Sequence, residues 1–62
     1  MDRDYDLFEV FPDGSVVRRE SVTGHEKAIG RLRELVQVTD NEFRVMHILT
    51  NTLIASLKRR KP

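Results

Sequence analysis

The sequence predicts an α+β domain: a four-stranded antiparallel sheet with one helix across one face, in the order ββαββ. Three observations predict it. The turn Pro12-Asp13-Gly14 separates two runs rich in β-branched and aromatic residues. Thr23 and Glu26 mark the start of a stretch whose apolar residues recur at helical spacing. A second β-rich run, Val45 to Ser56, is broken in its middle at Thr50-Asn51-Thr52.

The first hairpin is carried by "YDLFEVFPDGSVVRRESV". Pro12 presets the first turn position, Asp13 suits the second, and Gly14 takes the left-handed conformation. This predicts strands near 4–11 and 15–22 around a type I turn closed by a glycine bulge. With Phe11 opposite Ser15, Val10 faces Val16 and Phe8 faces Arg18. Alternation then gives Phe8, Val10, Val16 and Val22 to one face, and Tyr5, Leu7, Phe11 and Val17 to the other.

The helix is carried by "TGHEKAIGRLRELVQVTDN". Thr23 followed three residues later by Glu26 reads as a capping box, with the helix starting at Gly24 or His25. Ala28, Ile29, Leu32, Leu35 and Val36 fall on one side, with Lys27, Arg31, Glu34 and Gln37 mainly on the other. Gly30 is a mid-helix glycine, either admitting close approach to the sheet or merely tolerated. Thr39-Asp40-Asn41 ends the element.

The last run, "VMHILTNTLIAS", reads as a second hairpin with strands near 42–49 and 53–59. Val45, Ile48, Thr50, Thr52 and Ile54 are β-branched and oppose a helix. Asn51 is the non-glycine residue type that best tolerates the left-handed conformation. The alternative is ββαβ with one long last strand. Alternation predicts Phe43, Val45, His47, Leu53, Ala55 and Leu57 on one face, and Arg44, Met46, Ile48, Ile54, Ser56 and Lys58 on the other.

Together "YDLFEVFPDGSVV", "VTGHEKAIGRLREL" and "NEFRVMHILTNTLIA" resemble short uncharacterised bacterial proteins with the same order of elements. The resemblance covers about residues 5–56 and departs from that type at Asn51, where a glycine is expected. It implies the fold and no activity.

The chain has 62 residues and reads as one domain, 1–62, with frayed residues 1–3 and a basic tail over 58–62. A domain of this size buries only about 60% of its unfolded surface, and small folds commonly need a staple. There is no cysteine, which removes disulfides and thiolate metal sites and leaves an unusually good core or self-association. No apolar stretch approaches a membrane span and the acidic N-terminus is no signal peptide, so a cytoplasmic protein is expected.

Chemistry is hard to find in the sequence. His25 and His47 have no ligand spacing, the serines lack a nucleophile elbow, and the glycines form no phosphate loop. No catalytic residue, cofactor or metal site is expected, and the chain reads as a non-enzyme. Two interaction surfaces remain. One helix covers one sheet face, so apolar residues on the other mark an interface. That face is expected to hold Leu7, Val17, Met46, Ile48 and Ile54, and to pair two copies in a homodimer, with edge-strand pairing as a second route. The competing surface is basic: Arg18, Arg44, Lys58, Arg59, Arg60 and Lys61 would contact nucleic acid through phosphates. The net charge of +1 favours neither.

Overall fold

The computed structural model describes residues 4–59. Strands β1 (Tyr5–Val10) and β2 (Val16–Val22), helix α1 (His25–Leu35), and strands β3 (Glu42–His47) and β4 (Thr52–Leu57) follow one another. They form one antiparallel sheet of order β2-β1-β3-β4, so the two hairpins lie side by side and join through β1 and β3.

The turns form as their residues dictate. Gly14 takes φ 92°. The Gly14 N–H donates to the Phe11 carbonyl at 2.9 Å, and the Phe11 N–H to the Ser15 carbonyl at 2.9 Å. That is a type I turn closed by a glycine in the left-handed region. Asp13 tightens it by accepting from the Ser15 amide at 2.9 Å and the Ser15 hydroxyl at 2.7 Å. In the second hairpin Asn51 supplies the positive φ, at 56°, and the run is two strands rather than one.

The helix caps differently from the sequence expectation. Its N-cap is Gly24 at φ 98°, which has no side chain to cap with, and the helix starts at His25, one of the two expected positions. Glu26 still sits in the first turn and Arg33 in the last, in favour with the helix dipole. Gly30 is exposed, and a Cβ there would meet nothing within 4 Å, so it is tolerated rather than required.

Ala28, Leu32 and Val36 of the helix side meet Leu7, Phe43 and Val45 of the central strands, and these residues form the core. Tyr5, Val22, Leu35 and Ala55 pack around it. Each large side chain buried here contributes about 1.5–3 kcal/mol. The sheet face under the helix is therefore the one carrying Leu7. Leu7 is 0% exposed and is removed from the expected interface. Val17 lies opposite Glu9 on that same helix side and is removed with it.

Two register shifts complete the correction. Between Leu7 and Phe8 the pairing jumps from Glu20 to Arg18, leaving Arg19 as the extra residue of a β-bulge. The shift moves Val22 opposite Tyr5, onto the helix side. Between Val45 and Met46 the pairing jumps from Ala55 to Leu53, leaving Ile54 extra. The shift moves Leu53 opposite Met46, away from the helix. Strict alternation assigns both residues to the wrong face.

Candidate interaction surface

Residues paired across strands share a face, so the registers map the face without a helix. One row reads Ser21, Asp6, Met46, Leu53 across β2, β1, β3 and β4. The next reads Arg18, Phe8, Arg44, Ser56, and the third Val16, Val10, Glu42. Ile54, the extra residue of the β4 bulge, has no partner in this register. Phe8, Val16, Arg44 and Met46 line a shallow depression of about 200 Å³ at the middle of this face. Val16 is 50% exposed, Leu53 51% and Ile54 37%.

The apolar residues run diagonally, from Leu53 and Met46 at one corner through Phe8 to Val10 and Val16 at the other. Polar groups hold the two remaining corners. Asp6 lies 4.0 Å from the Arg18 guanidinium and accepts the Ser21 hydroxyl. Arg44 donates to Glu42 at 3.0 Å. Two acids and two bases leave the face neutral.

Of the residues expected at the interface, Met46 lies on this open face, and Ile54 is the bulge residue, 37% exposed. Ile48 lies one residue beyond β3, 40% exposed, its amide bonded to the Asp4 carbonyl at 2.8 Å. Phe8, Val10, Val16 and Leu53 take the place of Leu7 and Val17. The available signal was a break in alternation: the charged triplet Arg18-Arg19-Glu20 and the adjacent apolar pair Leu53-Ile54 each sit at a bulge.

The basic residues are less free than their count suggests. Arg18 and Arg44 are each beside a carboxylate. Arg59 is turned onto the end of the helix region, donating to the Gln37 carbonyl at 3.2 Å and to Asp40. Lys58 is exposed, and Arg60 and Lys61 lie outside the described residues. Phe8 is the aromatic ring that the described open face offers; Tyr5 and Phe43 belong to the helix side, and Phe11 sits under the Arg19 guanidinium at 5.9 Å. A stacking platform for single strands uses several rings and unpaired cations.

Elsewhere the polar groups serve the fold. Glu9 is 5% exposed on the helix side. It accepts from Asn41 Nδ2 at 2.7 Å and from Arg19 Nε at 2.6 Å. The Asn41 hydrogen bond, followed by Arg19, holds its carboxyl below the usual range against the opposing effect of burial. Arg31 ties the helix to β2 through Glu20 at 2.7 Å and also bonds Glu34; the Arg31 hydrogen bond lowers the Glu20 pKa. His25 and His47 flank the Tyr5 ring edge-on, with centroids 6.0 and 5.2 Å away. His47 Nδ1 lies 3.0 Å from the Thr50 hydroxyl. Among the described residues no group of three or more His, Asp or Glu side chains is placed to hold a metal ion, and no helix is long and apolar enough to cross a membrane.

No family model, curated protein or solved structure matches the chain. The functional reading therefore stands on the geometry.

Proposed function

We propose that this protein is a small non-enzymatic interaction module that self-associates through the open face of its sheet. The observation that supports this is the apolar diagonal of Phe8, Val10, Val16, Met46 and Leu53 on a face that the helix does not cover. An antiparallel sheet with one solvated face alternates apolar with polar residues, whereas a continuous apolar patch is characteristic of an interface. A second copy would also add buried apolar surface to the small core of a 62-residue chain without cysteine.

The edges point the same way. β2 carries Arg18, Arg19 and Glu20 with a bulge, and β4 carries a bulge at Ile54. Charges and bulges blunt a strand edge against further pairing. Face stacking is thus favoured over the edge-strand route. Nucleic acid is the less supported partner, because the open-face arginines are balanced by Asp6 and Glu42.

A face about 20 Å square, from strand spacing and rise, is at the small end for stable dimers, so micromolar affinity is expected. Sedimentation equilibrium from about 1 µM to 1 mM, near those affinities, tests the proposal. The expected result is a dimer that persists at high salt. Leu53→Glu should give a folded monomer, because Leu53 is half exposed within one chain. A wild-type monomer throughout the range overturns the reading.

A further inference from the structure

The two hairpin turns stand at opposite ends of the sheet and differ in character. The first, Pro12-Asp13-Gly14, is exposed and polar, and Asp13 serves its geometry. The second, Ile48 to Asn51, draws its turn geometry from the positive φ of Asn51, yet it opens with two large apolar residues, Ile48 and Leu49. Leu49 is 84% exposed, the most exposed large apolar side chain among the described residues.

A lone exposed leucine is ordinary on a protein surface. Leu49 is not alone. The Ile48 amide donates to the Asp4 carbonyl, which carries the β1–β3 ladder one hydrogen bond past Tyr5 and His47. Strand alternation then sets Ile48 on the side of Met46, away from the helix. Met46 pairs with Leu53, the half-exposed end of the apolar diagonal. The apolar surface therefore continues from the sheet onto the turn. Exposed apolar residues elsewhere do not extend it. Val17 and Leu57 pair with Glu9 and Phe43 on the helix side, and Val38 lies between α1 and β3.

We infer that the self-association surface runs past the sheet onto the β3–β4 turn, with Ile48 and Leu49 packed against a second copy of this chain. This rests on the self-association proposed above. Area argues for it. Two faces about 20 Å square bury about 800 Å² in all, short of the roughly 1,000 Å² that a specific interface needs. At their exposures, Ile48 and Leu49 add about 250 Å² over two copies, taking about 100 Å² for a whole side chain. The surface then clears that bound. The polar turn at the other end offers no such addition.

Dilution of the wild-type chain tests the inference. In methyl NMR from about 20 µM to 1 mM, across the expected affinity, the Leu49 and Leu53 signals should shift along one shared binding curve. Leu49→Ser should weaken the dimer about tenfold or more in sedimentation equilibrium, because each dimer loses two buried side chains. Its urea midpoint at low protein concentration should stay that of wild type. Leu49→Met keeps the apolar surface and should bind within about threefold of wild type. Val38→Ser trims an equally open side chain off this surface and should leave the dimer unchanged.

If the Leu53 signals shift and those of Leu49 do not, the open-face reading stands and this extension is overturned. The same holds if Leu49→Ser dimerises like wild type while Leu53→Glu is monomeric. An equal loss in Val38→Ser also overturns it, since general apolar stickiness then explains both variants. Should Leu49→Ser fail to fold, the dilution series decides by itself. A wild-type monomer overturns both readings.

Discussion

The two faces of the sheet are built from the same strands by different means. Under the helix, Leu7, Phe43 and Val45 are buried and the buried acid, Glu9, is tied down by Arg19 and Asn41. On the open face, Val16 and Leu53 are half exposed, Phe8, Val10 and Met46 are partly buried, and the acids bond Ser21 and Arg44 at the surface. The first pattern belongs to a finished interior. The second has an interior's apolar content without its cover. The difference teaches that burial within one chain, rather than residue type, decides whether a strand residue serves stability or association.

Core truncation should separate the faces most sharply. Leu7→Ala should destabilise the fold by about 2–5 kcal/mol, because it leaves a cavity among fixed neighbours. Leu53→Glu should change the unfolding midpoint of the isolated chain little while abolishing the dimer. Urea unfolding at low protein concentration measures both, and a large stability loss for Leu53→Glu would collapse the distinction.

Glu9 gives an intermediate effect and a pH signature. Glu9→Gln should lose about 1.5–3 kcal/mol, the range for hydrogen bonds to a charged group. The folded pKa of Glu9 lies below its ordinary value of 4.5. Its contribution is therefore present above the unfolded pKa and is lost as pH falls through the lower, folded one. The stability gap between wild type and Glu9→Gln should be full at pH 7 and shrink below about pH 4.5, the ordinary carboxyl range. A gap independent of pH would show that the carboxylate charge does not matter there.

The smallest expected effect is a gain. Gly30→Ala should stabilise the helix by about 0.5–1 kcal/mol, since the position is helical, exposed and open to a methyl group. Thermal unfolding measures it. A loss would mean that the helix needs the bare backbone at Gly30.

Local chemistry made most of the fold legible in the sequence. Pro12-Asp13-Gly14 and Asn51 mark the two turns because each needs a residue tolerant of positive φ, and Ala28, Leu32 and Val36 mark the helix by their spacing. The surface was legible only in part. Met46 is on the open face as alternation predicts. Leu7 and Val17 are not, because the pairing of β1 with β3 sets which face of the first hairpin joins which face of the second. That contact joins residues some forty positions apart in sequence, and local pattern carries no trace of it. Val22 and Leu53 are displaced by bulges, which change phase without changing composition.

Those two bulges bear on how the sequence can vary over time. Arg19 and Ile54 each act as a one-residue phase change in a strand whose sides repeat every second position. Losing Arg19 would remove the bulge with it: Glu20 would follow Arg18 in regular pairing, and Ser21 and Val22 would keep their faces. Losing Ile54 would likewise leave Leu53 outward and Ala55 on the helix side. Where a strand holds no extra residue, a single deletion exchanges the faces of every residue beyond it. Length is therefore expected to vary by one residue more readily at these two positions than elsewhere in the strands.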